Sequence, residues 1–203
     1  MSTEIERAVE LVEKTEGWVE FEGEQVSEVI LKETEFSDAE LLQLGALSDA
    51  RMIDLFQTHV TGQGLSVLKN FSRLERLYLT HCPLDDAGLA MLPPLPNLKS
   101  LILDYTQISD DGLRSLKNVP DLQELNIGGT ACTDRCLQTL LRLTNLRELG
   151  VHETHITDRG ILHLAQLKNL HRLAWSPRAI SQAAFAQLEA KLPGLQSIPF
   201  VSF

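Results

Sequence analysis

The chain has 203 residues, 43% hydrophobic, 5% aromatic and 23% charged, with a formal charge of −10. That composition suits one soluble domain with a sizeable core. It holds no apolar run of 18 residues, so no transmembrane helix is expected, and its acidity disfavours nucleic acid and anionic membrane as partners.

The opening MSTEIERAVELVEK is acidic and has no basic start, so no secretory signal is expected. Ile5, Ala8, Val9 and Val12, three or four residues apart, predict a short amphipathic helix. Apolar residues from Trp18 to Phe21 and from Val26 to Leu31 flank a Glu-Gly-Glu-Gln turn and predict a β-hairpin. Residues 1–25 then form a cap over the open end of a stack, with Trp18 and Phe21 as its plugs. Charge concentrates here. Residues 1–49 hold fourteen acids against Arg7, Lys14 and Lys32, a balance of −11, and the rest of the chain carries +1. A basic protein surface could be steered to this end; an acidic solubilising cap is the plainer reading.

Residues 26–194 restate one 24-residue template seven times, starting at Val26, Ala50, Leu74, Leu98, Leu122, Leu146 and Leu170. The unit reads L-x-x-L-x-L-x-x-T-x-I-[ST]-D-x-G-L-x-x-L-x-x-L-x-x. Its L-x-L segment has period two and predicts a short strand with leucine inward. Thr34, Thr58, Thr106, Thr130 and Thr154 form a column, with Cys82 once in their place. Their buried hydroxyls need partners, and the backbone of the neighbouring turn is the expected one. Ser109-Asp110, Thr133-Asp134 and Thr157-Asp158 predict helix N-caps, followed by the apolar stripe of a helix. One strand and one helix cannot bury their faces alone, so adjacent copies must stack, strands inside and helices outside. The segment Ile180 to Leu192 predicts a longer closing helix. Residues 195–203 predict a capping strand, one residue out of step with the repeat and apolar from Ile198 to Phe203.

The units LERLYLTHCPLDDAGLAML, LKSLILDYTQISDDGLRSL and LRELGVHETHITDRGILHL resemble leucine-rich repeats. The T-x-[IV]-[ST]-D-x-G-L variant is similar to bacterial, planctomycete-type repeats and to cysteine-containing eukaryotic ones. The resemblance covers roughly Gly17 to Phe203; where the family usually carries an asparagine ladder, this chain carries threonine. It implies an α/β solenoid, a horseshoe with a concave parallel sheet and convex helices. It also implies a protein partner on the concave face.

Chemistry is sparse. His152-Glu153-Thr154-His155 is not H-E-x-x-H, and on a strand and turn its imidazoles do not share a face. Gly62-Gln63-Gly64 lacks the Lys-[Ser/Thr] of a phosphate loop. Cys132 and Cys136 have metal-ligand spacing without further ligands, and three cysteines at core-type positions argue for reduced thiols and a cytoplasmic setting. Asp85-Asp86 and Asp110-Asp111 sit where helix capping explains them. No cofactor, metal or catalytic residue is expected.

The outward strand positions remain. Met52, Asp54, Phe56, Arg76, Tyr78, Ile102 and Asp104, with His81 and Tyr105 at the rim and Asn126 and His152 beyond, form the candidate partner-binding face, rich in residue types enriched at hot spots. Gly128, Gly129, Gly150 and Ala174 predict a bare floor beside it. The expectation is a non-enzymatic interaction module, monomeric, with a protein partner. The alternatives are a self-associating structural module joined at the Ile198–Phe203 edge or the acidic cap, and a metal-dependent hydrolase.

Overall fold

The structure, a computed structural model, describes residues 2–199. The expected last strand and its pairing edge at Phe200 and Phe203 extend outside the described residues.

Nine strands form one sheet in sequence order. They are β1 (Trp18–Glu22), β2 (Gln25–Ile30), β3 (Met52–Asp54), β4 (Arg76–Tyr78), β5 (Ser100–Ile102), β6 (Glu124–Asn126), β7 (Glu148–Gly150), β8 (Arg172–Trp175) and β9 (Gln196–Pro199). β1 and β2 make the antiparallel hairpin; all later pairings are parallel. Each parallel pair is offset by one repeat, as in Leu77 against Leu101 and Leu101 against Leu125. Identical inward leucines therefore stack coil upon coil. Ile53, Leu77, Leu101, Leu125 and Leu173 are fully buried, so the core is a continuous rod of layers.

Four expectations are corrected. The convex elements are single α turns such as Asp38–Leu41 and Asp86–Leu89, or tight 3-10 segments such as Gly112–Asn118. A 24-residue coil leaves too little chain for a longer helix. Among the described residues, only the terminal helices, Thr3–Lys14 and Gln182–Lys191, are long. No helix among the described residues is long and apolar enough to cross a membrane.

The threonine column bonds within its own coil. Thr106 Oγ1 donates to the Leu103 carbonyl at 2.7 Å, and Thr34, Thr58, Thr130 and Thr154 repeat that bond three residues back. Cys82 alone reaches the preceding coil, its Sγ lying 3.0 Å from the Leu55 carbonyl.

The last strand keeps the 24-residue register. Gln196 pairs with Arg172 and Ser197 with Leu173, not one residue later. Since a one-residue slip exchanges faces, Ser197 takes the inward position and accepts a hydrogen bond from Trp175 Nε1 at 2.9 Å.

Trp18 and Phe21 do not plug the stack: they are 48% and 42% exposed. Ala8 and Val12 of the first helix and Val26 and Val29 of β2 cover that end instead.

Of the three expected N-caps, Thr133 makes a side-chain cap bond while Thr157 and the start of the Gly112–Asn118 segment make none; the aspartates of the [ST]-D pairs reach the next coil instead. Asp86 accepts the Ser109 amide (2.7 Å) and hydroxyl (2.6 Å) of the next coil; Asp110 does the same for Thr133, Asp134 for Thr157 and Asp158 for Ser181. The ladder breaks once. Gly62 stands where an aspartate would, and the next coil presents Asp85 instead of a hydroxyl; two carboxylates would otherwise face each other. Asp85 turns to its own helix and accepts the Gly88 amide at 2.8 Å.

Candidate functional site

Outward strand residues lie in columns fixed by register. One runs Ile30, Asp54, Tyr78, Ile102, Asn126, Gly150. The hairpin extends it, because Trp18 pairs directly with Ile30 and so stands on the same face. Trp18 is the residue that sequence reasoning missed. The alternation within WVEF carried the signal, but the partner of Trp18 depends on the irregularity between Glu20 and Phe21.

Of the candidate residues, Arg76 and His81 are exposed, and Phe56, Tyr78, Ile102, Asp104, Tyr105 and Asn126 are half-buried. Met52, Asp54 and His152 are buried. A hollow of about 370 Å³ joins Lys32, Asp54, Phe56, Tyr78, Thr80 and Ile102. At its base Asp54 accepts the Phe56 amide at 3.0 Å and pairs with Lys32 at 3.0 Å. This carboxylate therefore holds the wall of the hollow in place. Arg76 is drawn sideways to Glu28 at 2.7 Å, as Arg172 is to Glu148 at 2.6 Å.

The rim is built on left-handed backbone. After each of β2 to β7 the chain turns through a residue of positive φ: Glu33, Gln57, His81, Tyr105, Gly129 and Glu153. Each of the first five donates its amide to the next coil, as His81 does to the Asp104 carbonyl at 3.0 Å and Tyr105 to the Gly128 carbonyl at 2.7 Å. These bonds hold the conformation. A side chain there costs about 1–2 kcal/mol relative to glycine, and such strain gathers where side chains serve a purpose. Here they form a row. His81 stacks on Tyr105 with ring centroids 4.6 Å apart and planes at 4°; Phe56 meets His81 edge-on at 5.8 Å; the Tyr105 hydroxyl donates to Glu153 at 2.9 Å.

The expected bare floor is covered. A Cβ on Gly128 would meet the His152 ring at 2.1 Å, one on Gly129 the Tyr105 ring at 2.3 Å, and one on Gly150 the Asn126 side chain at 2.4 Å. The glycines make room for this chain's own side chains. The hollow at Phe56, Tyr78 and Ile102 thus has no counterpart over these three glycines.

Asp104 stands out electrostatically. Burial is the largest influence on it and, with the nearby Glu124 charge, pushes it up to about 6, against the single hydrogen bond of 2.5 Å from the Gly128 amide. Burial and the Glu153 carboxylate push the Tyr105 hydroxyl up to about 12. Burial lowers His152 despite Glu153 beside it, favouring the neutral imidazole.

The two histidines of the His152–His155 segment do separate different things: the His152 ring crosses Gly128, while His155 bridges Thr133 on the far edge of the turn. Among the described residues, no group of three or more His, Cys, Asp or Glu side chains is placed to hold a metal ion. The three cysteines are free and buried.

A family model described as leucine rich repeat matches residues 73–92 and 95–117, two consecutive coils that include β4 and β5. No curated protein matches the chain. The matched coils and the nine-stranded sheet together make the fold an α/β leucine-rich repeat solenoid.

Proposed function

We propose that this leucine-rich repeat solenoid is a non-enzymatic recognition module that holds a protein partner on its concave sheet. The observation that carries the reading is the hollow at Phe56, Tyr78 and Ile102, backed by the His81–Tyr105 stack. It offers half-buried aromatic and aliphatic surface on strands whose backbone is fully bonded and rigid. Ordered anchors of this kind lose little conformational entropy on binding, and their residue types are those that dominate interface energetics. The strip from Trp18 to Ile102 crosses five strands, roughly 19 Å at the usual strand spacing, the reach of a short extended segment or a loop.

Affinity capture from the native lysate tests this. Phe56→Ala with Tyr78→Ala should lose the partner that the wild type retains, with an unchanged circular dichroism spectrum. Equal retention by the folded variant would overturn the site. The repeats are read as the bacterial, planctomycete-type variant on T-x-I-[ST]-D-x-G-L, and the protein as a cytoplasmic monomer.

A further inference from the structure

The sheet ends at β1 with an open edge. β2 lies on one side of this strand and, among the described residues, no strand lies on the other. Four of its five residues are exposed and the fifth is half-buried. Among the described residues, its backbone makes no hydrogen bond except to β2. An open strand edge templates another strand unless it is blocked. β1 contains neither proline nor lysine; its own blocks are the charges of Glu20 and Glu22 and a register shift against β2 between Glu20 and Phe21, which a partner strand of matching charge can accommodate. Trp18 and Phe21, two of the five exposed large hydrophobic residues in the described chain, lie on this one strand.

Charge selects what the edge accepts. Glu16, Glu20, Glu22 and Glu24 border or interrupt β1, and only Glu22 has a basic partner, Arg51 at 3.4 Å, both well exposed. A second copy would bring the same four glutamates against these, and like charges directly opposite are unfavourable. An extended segment alternating basic and apolar residues would set its basic side chains on the face of Trp18, Glu20 and Glu22 and its apolar ones on the face of Val19 and Phe21.

We propose that β1 is a docking edge for an extended, basic–apolar segment of a partner protein, which adds as a tenth strand. Main-chain bonds to the open edge supply the binding and alternate side chains the selection. Trp18 links the added strand to the concave column, but the edge stands independently of the hollow at Phe56 and Tyr78.

The probe is a six-residue acetylated peptide of alternating Lys and Val, titrated into the full chain carrying Trp175→Phe so that Trp18 alone reports by fluorescence. Two controls accompany it: the same peptide N-methylated at alternate amides, made in both registers, and an alternating Glu and Val peptide. The Lys–Val peptide should shift Trp18 emission to the blue. N-methylation along the bonding edge should weaken binding by about tenfold or more, since several main-chain bonds are lost. Glu20→Gln with Glu22→Gln should weaken it several-fold and flatten its salt dependence, and the Glu–Val peptide should not bind. Equal binding by both N-methylated peptides would reduce the effect to side-chain attraction and overturn the proposal. So would no response of Trp18, or a dimer in sedimentation that disappears on Trp18→Ser, which would give the edge to a second copy. Phe56→Ala with Tyr78→Ala should leave peptide binding unchanged, which separates this test from the concave one.

Discussion

Asp104 shows most plainly how one residue can work against stability. Its carboxyl is raised from 3.8 to about 6, chiefly by burial. A raised acid binds its proton more tightly folded than unfolded, so its ionisation destabilises the fold. The cost begins as pH rises past 3.8 and is complete above about 6. Asp104→Asn keeps the acceptor for the Gly128 amide and removes the charge. It should therefore raise stability by about 1–2 kcal/mol at pH 7.5, and by nothing measurable near pH 4, in urea titrations at both values. An equal effect at both pH values would show that packing, not charge, governs the site. Stability given up at an accessible residue is a mark of functional sites, and Asp104 borders the proposed binding face.

Beyond the leucine core, the aspartate ladder ties adjacent coils together. In each clamp a carboxylate binds both the amide and the hydroxyl of the next coil's Ser or Thr, tying one convex turn to the next. At Asp38, burial pushes the carboxyl up, but donors from Thr61, Gly64 and Gly62 outweigh it and the net shift is downward. Such a group stabilises above the ordinary carboxylate range and loses that contribution as pH falls through its lowered folded value. A double-mutant cycle of Asp134→Ala and Thr157→Ala, in which the Thr157 amide bond survives the second change, should give a coupling of about 1 kcal/mol for the hydroxyl bond; additive effects would mean the hydroxyl bond contributes nothing. Sequence alone suggests a cap at these positions and not the clamp; Thr133 does accept the Arg135 amide, but Thr157 makes no cap bond and the segment from Gly112 starts behind Asp111 without one. The Gly62 and Asp85 pair was the available clue: two departures from the repeat, in adjacent coils, that make sense only if those positions touch.

Across the whole molecule, the solenoid was legible because repetition averages out local ambiguity: a leucine that recurs every 24 residues must face the core. What did not repeat was harder to read. Gly128, Gly129 and Gly150 were expected as open floor, yet the side chains that fill them come from neighbouring coils and follow from rotamers, not from spacing. Leu195 imitates the start of a template and suggests a slipped register, whereas the Gln196 amide bonds the His171 carbonyl at 2.7 Å, as the Ser100 amide bonds the Glu75 carbonyl four repeats earlier. Trp18 and Phe21 read as plugs over the open end of the stack, and the structure leaves them exposed. These three misjudgements converge on the same lesson about the face. Its accessible part is narrower than the outward columns suggest, and it runs toward the N-terminal edge.

The concave face can be tested by oxidative side-chain labelling of the chain with and without its captured partner. Phe56 and Tyr78 line the hollow, whereas Leu42 and Met91 are exposed on the convex turns. The partner should suppress labelling of Phe56 and Tyr78 and leave Leu42 and Met91 unchanged; protection of Met91 with full labelling of Tyr78 would contradict a concave binding site.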